Sequence, residues 1–269
     1  MRVMPGRDWR VIYTVRMKGG VGLALAVVGF TASAVCAQTQ QTLIVRGQSQ
    51  TLRLYGAKTG TPVVVTSGDG GFVHLAPAVA DFLASKGYFV VGVDAKAYLS
   101  SFTSGTRTLS PDDIPGDFRA FVDLARQGRD LKAPLIGISE GAGLSVLAAT
   151  NPSLQEMSSG VVALGLPDVN ELGWRWRDSI IYITHQAPNE PSFHAGEYVA
   201  RLGGMPLAAI HSTNDEFVPV DTLKQVLGPL GPTRRRWLIE AADHRFSDSQ
   251  VELQKRLLEA LQWIQASKR

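Results

Sequence analysis

Three residues with the chemistry of acyl transfer occur along this sequence in the order serine, aspartate, histidine. Ser139 lies within the segment GISEG (137–141), and Asp215 and His244 follow it. A serine hydroxyl is a weak nucleophile until a base takes its proton, and the imidazole base needs a carboxylate to hold its tautomer. We therefore predict Ser139 as nucleophile, His244 as base and Asp215 as the acid that orients this base.

The pattern Gly-x-Ser-x-Gly is weak by itself, and its surroundings give it weight. An apolar, β-rich run over 133–138 precedes Ser139, and small and apolar residues over 142–149 follow it as a predicted helix. A sharp turn from strand to helix pushes a serine side chain out above a sheet. Gly141 and Gly143 would let this helix approach neighbouring strands closely.

The acid and the base also follow predicted strands. Asp215 comes after the apolar run 206–211, and His244 lies in the loop between the last strand and the final helix. This chain order is typical of the α/β-hydrolase fold. Asp168, just after the predicted strand 161–166, is the alternative acid.

Two backbone N–H groups should form an oxyanion hole. One belongs to Glu140, directly after the nucleophile. The other should come from the loop SGDGG (67–71), where glycines let the backbone approach a reacting carbonyl, and Asp69 or Gly70 is the predicted donor.

Strand-like and helix-like stretches alternate from about residue 60, which predicts an α/β fold. We expect a mostly parallel sheet with helices on both faces and an N-terminal antiparallel hairpin over 42–56, turned at Gly47-Gln48. A chain of 269 residues with 45% hydrophobic content can bury one such core. The other predicted elements are strands at 62–66, 88–94, 133–138, 161–166, 206–211 and 236–240, and helices at 73–86, 112–126, 142–149 and 247–266.

An aromatic-rich insertion over 167–204 interrupts the alternation of strands and helices. We expect it to resemble a lid, with Trp174 and Trp176 as candidates for the substrate pocket together with Phe72. Packing of a long loop would explain the two tryptophans equally well.

The N-terminus has the pattern of an export signal. Basic residues precede a short apolar run, and small residues end at Ala37 before Gln38. We predict a signal peptide over 1–37 with cleavage after Ala37, a hydrolase domain over 38–269, and a periplasmic or secreted protein. Cleavage would remove Cys36, the only cysteine. Met17 is an alternative start.

The charge pattern does not favour nucleic acid as a partner. The net charge of +3 falls to about −1 without residues 1–37, and the basic run Arg234–Arg236 is short enough to be the charged edge of a strand. The histidines do not cluster like metal ligands, so neither a metal nor a cofactor is expected. The expected partner is a small-molecule or lipid ester substrate, which leaves a peripheral membrane contact and the oligomeric state open.

Several segments resemble the VirJ/AcvB group of bacterial virulence-type proteins. They are SGDGGF (67–72), GYFVVGVDAKAY (87–98), SPDD (110–113), GISEGAG (137–143) and ADHRFSD (242–248). The resemblance implies a periplasmic α/β-hydrolase that hydrolyses an aminoacylated phospholipid, lysyl-phosphatidylglycerol. It also implies Ser139 and His244, with Asp215, as catalytic residues.

Two functions are consistent with these patterns. The first is a serine esterase with a catalytic triad that cleaves carboxylic esters. The second is a catalytically inactive periplasmic binding or accessory protein of an envelope or secretion complex. The intact order of serine, acid and histidine favours the enzyme, because a protein that had lost turnover would have no need to keep all three.

Overall fold

The computed structural model describes residues 38–175 and 190–267, which contain a central eight-stranded sheet and a small two-stranded one. The strands are β1 (Thr39–Val45), β2 (Gln48–Tyr55), β3 (Thr61–Thr66), β4 (Tyr88–Val93), β5 (Leu135–Ile138), β6 (Val161–Leu164), β7 (Val169–Glu171), β8 (Ser192–His194), β9 (Leu207–Ser212) and β10 (Arg234–Ile239). Strands β7 and β8 form the small antiparallel sheet, and the other eight form the central one.

Helices connect most of these strands. Those in the described residues are α1 (Leu75–Ser85), α2 (Ala95–Phe102), α3 (Asp113–Arg126), α4 (Glu140–Ala148), α5 (Pro152–Met157), α6 (Ala195–Arg201), α7 (Val220–Leu227) and α8 (Gln250–Ala266). The predicted mostly parallel α/β architecture is therefore confirmed.

The strand order β1-β2-β4-β3-β5-β6-β9-β10 determines where chemistry can occur. All neighbours from β4 to β10 run parallel, whereas β2 pairs antiparallel with both β1 and β4. The carboxyl ends of the parallel strands consequently meet at one edge of the sheet, where ligands bind in open α/β sheets. The basic run Arg234–Arg236, predicted as the charged edge of a strand, forms the first half of β10, which is an edge strand of the sheet.

The hydrophobic core has two layers because strand side chains alternate between the faces of the sheet. Val64 packs with the side chains of α3 and α4, including Phe118. Its neighbours Val63 and Val65 pack on the opposite face with α1 and α8, including Leu257. Helices cover both faces, which explains why the parallel strands are continuous apolar runs.

The N-terminal hairpin is present, but its turn is one residue earlier than predicted. Arg46 and Gly47 connect β1 to β2, and both have positive φ angles, 46° and 80°. Two consecutive positive φ angles fit the right-handed twist of a hairpin. The prediction of Gly47-Gln48 was wrong because Gln48 already belongs to β2.

Two details between β4 and α3 differ from the sequence prediction. Helix α2 was not predicted, and it begins directly after Asp94, whose carboxylate accepts a hydrogen bond from the N–H of Ala97. Helix α3 begins at Asp113 rather than Asp112, since Ser110 precedes the helix in a turn and donates both its N–H and its hydroxyl to the Asp113 carboxylate.

The insertion over 167–204 is described at both of its ends. It contributes β7 at one end and β8 with α6 at the other, while 176–189 lie outside the described residues. The predicted signal peptide over 1–37 also lies outside them. Among residues 38–175 and 190–267, no helix is both long and apolar enough to cross a bilayer.

Candidate active site

The backbone at Ser139 is held in a conformation that a side-chain-bearing residue seldom adopts. Its φ is 51° and its ψ is −120°, and it connects β5 directly to α4. Such a conformation costs on the order of 1–3 kcal/mol and persists where the surrounding structure enforces it. Here the Ser139 N–H donates to the carbonyl of Leu164 at 2.8 Å, and its carbonyl accepts from Ala142 at 2.7 Å. The predicted strand–turn–helix is thus present, with Ser139 half-buried at its apex.

The glycines around Ser139 are required by close backbone contacts. A Cβ on Gly137 would lie 2.2 Å from the carbonyl oxygen of Gly141, and a Cβ on Gly141 would lie 2.4 Å from the carbonyl oxygen of Ser67. A Cβ on Gly143 would overlap the side chain of Asn170 in β7. The prediction of close helix approach is confirmed, although at Gly143 the neighbour is β7 rather than a strand of the central sheet.

The loop after β3 lies against Ser139. A Cβ on Gly68 would be 3.2 Å from the Cβ of Ser139, so the loop backbone reaches the serine side chain. Among the described residues, the N–H groups of Asp69, Gly70 and Glu140 donate to no protein acceptor. The predicted oxyanion hole uses two of these three, Glu140 and either Asp69 or Gly70, and Glu140 N–H also belongs to the positive end of the α4 dipole.

Asp215 and His244 are in direct contact. The Nδ1 atom of His244 lies 2.6 Å from Oδ2 of Asp215, whose side chain is fully buried. Oδ1 of Asp215 accepts the backbone N–H groups of Phe217 at 3.0 Å and Val218 at 2.8 Å. Burial raises the pKa of Asp215, but the hydrogen bond and charge of His244 and the Val218 N–H outweigh it and lower the pKa below its ordinary value.

The imidazole of His244 lies between the strands that carry Ser139 and Asp215. A Cβ on Gly165, directly after β6, would be 2.5 Å from Cε1 of His244. Strand β6 lies between β5, which ends at Ser139, and β9, which leads to Asp215. Gly165 has a φ of 60°, so its glycine identity serves both the turn and the approach of the ring.

The loops that carry the acid and the base are connected by further hydrogen bonds. The carboxylate of Glu216 accepts the backbone N–H of His244 at 2.7 Å, and the side chain of Asn214 donates to the carbonyl of Ala241 at 2.7 Å. The ring of Phe217 packs perpendicular to that of His244, with centroids 5.5 Å apart. Sequence reasoning missed Asn214, Glu216 and Phe217, although each lies within two positions of Asp215.

The carboxyl group of Glu140 is buried behind the nucleophile. It accepts the backbone N–H of Glu171 in β7 at 2.7 Å, which connects the start of α4 to the insertion. Burial is the main cause that raises the pKa of Glu140 well above its ordinary value; the charges of Glu171 and Asp69 add to it, and the Glu171 N–H opposes it. Glu140 therefore resists ionisation.

The alternative acid has a different partner. Asp168 Oδ2 lies 2.7 Å from Nδ1 of His194, and Asp168 Oδ1 accepts the N–H of Gly196. This pair connects β7 to the start of α6. Asp215, and not Asp168, is the aspartate in contact with His244.

The structure corrects one of the three aromatic pocket candidates. Phe72 is only 4% exposed and stacks on Tyr55, with its ring tip where a Cβ of Gly92 would be, so it belongs to the core. Trp174 is partly buried, and the ammonium of Lys96 lies 4.2 Å from its ring centroid. Trp176 lies outside the described residues.

A family model supports the resemblance drawn from the sequence. The model described as "Bacterial virulence protein (VirJ)" matches residues 61–171, which confirms the similarity to the VirJ group there. The match covers β3 through β7 and the Ser139 turn, while Asp215 and His244 lie beyond it. No curated protein matches the chain.

Solved structures share the fold. An esterase of Pyrococcus furiosus, Pf2001, matches with a TM-score of 0.60 and 16% identity over 84% of this chain and 90% of that one. The thioesterase domain of the curacin biosynthetic pathway matches with a TM-score of 0.60 and 14% identity over 83% of this chain and 99% of that one. Est1E of Butyrivibrio proteoclasticus matches with a TM-score of 0.58 and 14% identity over 82% of this chain and 98% of that one. At such identities these neighbours show the α/β-hydrolase fold alone.

Proposed function

We propose that this α/β-hydrolase chain is a serine hydrolase of carboxylic esters that uses Ser139, His244 and Asp215 as a catalytic triad. The observation that carries the proposal is the 2.6 Å contact between His244 and the buried Asp215, at the sheet edge where Ser139 occupies a strained turn. A strained nucleophile turn and a buried Asp–His pair have no evident structural purpose, whereas acyl transfer uses both.

The first half-reaction follows from this arrangement. Asp215 accepts a hydrogen bond from the Nδ1–H of His244, which keeps the proton on Nδ1 and leaves Nε2 of the neutral imidazole free to take the proton of Ser139. The serine oxygen attacks the ester carbonyl, and the developing oxyanion receives hydrogen bonds from the N–H of Glu140 and of Asp69 or Gly70. His244 then returns its proton to the leaving alcohol, and an acyl-Ser139 remains.

The second half-reaction uses the same groups with water. His244 removes a proton from a water molecule as it attacks the acyl-enzyme, and the tetrahedral intermediate uses the same oxyanion donors. Collapse of this intermediate releases the acid and returns the proton to Ser139. No metal or cofactor is needed for either step, because the imidazole and the backbone amides supply the proton transfer and the charge stabilisation.

For the substrate, we propose an ester that joins an amino acid to a lipid headgroup, as in lysyl-phosphatidylglycerol. The support is the family match over residues 61–171 together with the aromatic insertion after β6. Hydrolysis of such a lipid would require a peripheral contact with a membrane. The same proposal includes export, with residues 1–37 removed, since this substrate belongs to an envelope membrane.

The test compares two substrates with two forms of the protein. Lysyl-phosphatidylglycerol in mixed micelles and a short p-nitrophenyl ester are offered to the wild type and to Ser139→Ala. We expect the wild type to release lysine and nitrophenol, and Ser139→Ala to release neither. The matched control is Ser153→Ala, which changes an exposed serine in α5 and should keep full activity.

The other outcomes separate the alternatives. Hydrolysis of the short ester without release of lysine would leave an esterase with a different natural substrate. If the wild type turns over neither compound and Ser139 does not react with a serine-directed phosphonate, the binding or accessory protein becomes the better account.

A further inference from the structure

A second histidine is buried beneath the acid of the proposed triad. His211 lies in β9, four residues before Asp215, and its side chain is completely excluded from solvent. The proposed mechanism does not use it. A fully buried histidine 3.8 Å from the proposed catalytic carboxylate calls for a physical explanation.

The hydrogen bonds of His211 define its tautomer. Its Nε2 lies 2.8 Å from the carbonyl oxygen of Val218. A carbonyl oxygen can only accept, so Nε2 carries the proton and Nδ1 does not. Nδ1 is buried and has no hydrogen-bond partner among the described residues.

This bond closes the loop that holds Asp215. Val218 accepts from His211 through its carbonyl, and its N–H donates to Oδ1 of Asp215 at 2.8 Å. The other oxygen, Oδ2, lies 3.8 Å from Nε2 of His211 and 2.6 Å from Nδ1 of His244. The buried ring of His211 therefore anchors Val218, whose N–H holds the carboxylate of Asp215.

Burial favours the neutral form of His211. Burial lowers the pKa of His211 below its ordinary value, and His244 and Arg236 act in the same direction. Asp215 and the Val218 carbonyl act in the opposite direction but do not prevail. Because a neutral His211 carries no charge, it does not compete with His244 for the negative charge of Asp215.

We infer that His211 is a positioning residue, which holds the 213–219 loop through the Val218 carbonyl so that Asp215 stays aligned with Nδ1 of His244. The inference rests on the proposed function, because alignment matters only if His244 acts as a base. It requires the Nε2–H donor of His211 rather than its bulk.

Two substitutions separate the donor from the bulk. His211→Gln keeps an amide N–H that can reach the Val218 carbonyl, whereas His211→Leu keeps a similar volume without a donor. We expect His211→Leu to lower kcat about 10- to 100-fold with little change in KM, as a misplaced catalytic group does. His211→Gln should recover most of kcat.

Rescue by the amide provides a signature that loss of packing would not produce. Both substitutions replace the ring, but only His211→Gln keeps a donor for the Val218 carbonyl, so recovery of kcat in His211→Gln alone would point to the donor. Thermal unfolding of both variants gives their folded fraction at the assay temperature.

A measurement without turnover keeps the inference separate from the proposed function. The Nδ1 proton between His244 and Asp215 should give a far-downfield proton NMR resonance, assigned by its loss in His244→Gln. We expect His211→Leu to shift or broaden this resonance and His211→Gln to preserve it. If the resonance and kcat are the same in His211→Leu as in wild type, His211 does not position the acid. If the wild type lacks turnover dependent on Ser139, the proposed function fails, and the resonance still decides whether His211 aligns the pair.

Discussion

Asp215 uses both of its carboxylate oxygens, one for the backbone of its own loop and one for His244. In Asp215→Asn, the amide would keep one acceptor but could present an N–H to His244, which would then hold the wrong tautomer. We expect kcat to fall about 10⁴-fold with a small change in KM, as in other triads. Steady-state kinetics on a short ester measures this.

The control is Asp168→Asn, because Asp168 also contacts a histidine, His194, at the end of β8. We expect this variant to keep kcat within a few-fold of wild type. A severe loss in Asp168→Asn combined with a mild one in Asp215→Asn would place the acid after β6 instead of β9.

Gly165 offers a second test of how His244 is positioned. In Gly165→Ala, the new Cβ would lie 2.5 Å from Cε1 of the ring, so the imidazole must move away. We expect kcat to fall about 100-fold or more, because a displacement of about 1 Å at a catalytic group has that effect.

Gly203 provides the matched control for this substitution. Its φ of 57° is close to the 60° of Gly165, but a Cβ there would meet no atom within 4 Å. Gly203→Ala should therefore show the destabilisation of a positive φ without the loss of kcat. Equal kcat values in the two variants would show that Gly165 does not position His244.

The predictability of single residues depended on whether their role is local in sequence. Ser139, Asp215 and His244 each follow a strand, and the structure brings Asp215 and His244 into contact. Gly165 lies against the ring of His244, and Glu216 accepts the backbone N–H of His244, so both depend on a loop that is distant in sequence. His211 contacts the backbone carbonyl of Val218 in the interior. A residue pattern does not reveal contacts of these kinds. Phe72 was misjudged because its ring fills the space beside Gly92 and stacks on Tyr55, both of which are distant in sequence.

At the scale of elements, α4 and β7 are joined at the start of the insertion. Glu140 accepts the N–H of Glu171, and Asn170 fills the space that the absent side chain of Gly143 leaves. The helix that follows Ser139, the proposed nucleophile, is therefore in direct contact with the segment proposed to cover the substrate. A change in the charge of Glu140 would therefore affect both α4 and β7.

The ionisation of Glu140 predicts a pH dependence of stability. Its folded-state pKa is raised by burial, so the folded protein holds this proton more tightly than the unfolded chain does. The stability from this group is complete below the unfolded value of about 4.3 and is lost as the pH rises through the raised folded pKa.

Replacing Glu140 with a residue that does not ionise should reduce this loss of folding stability at higher pH. Glu140→Gln keeps an acceptor for the Glu171 N–H, and we expect its Tm to exceed that of wild type by a margin that grows from pH 4 upward until the folded pKa is passed. Calorimetry across this range measures the effect, with the exposed Glu156→Gln as control. A Tm difference that stays constant or shrinks as the pH rises would contradict a buried Glu140 carboxyl that retains its proton.

Long apolar elements were predictable, and short ones were not. The parallel strands and α1, α3, α4 and α8 were predicted within a few residues, because burial on both faces imposes continuous apolar runs and helical periodicity. Helix α2 was missed because it starts directly after β4 and has eight residues. Strands β7 and β8 have three residues each, which is too short for alternation to be recognised.

At the scale of the whole molecule, the proposed export makes a prediction about the mature chain. The described fold begins after residue 37, and β1 begins at Thr39. Cleavage after Ala37 would therefore leave every described strand intact. We expect intact-mass spectrometry of the periplasmic or secreted form to show an N-terminus at Gln38 and no cysteine. A lipid-modified Cys36, or an uncleaved chain in the cytoplasm, would contradict the export proposal.

The proposed function requires Ser139, at the edge where the sheet brings its strand ends together, to be reactive, and covalent labelling measures that reactivity directly. A fluorophosphonate loses fluoride only to a serine oxygen whose proton is removed, so it reports the nucleophile without knowledge of the substrate. We predict stoichiometric labelling of the wild type on the peptide that contains Ser139, and none in Ser139→Ala. Labelling should be strongly slowed in His244→Gln and unchanged in Ser153→Ala. Equal labelling of wild type and Ser139→Ala, or an unreactive wild type that is fully folded, would contradict the assignment of Ser139 as the nucleophile.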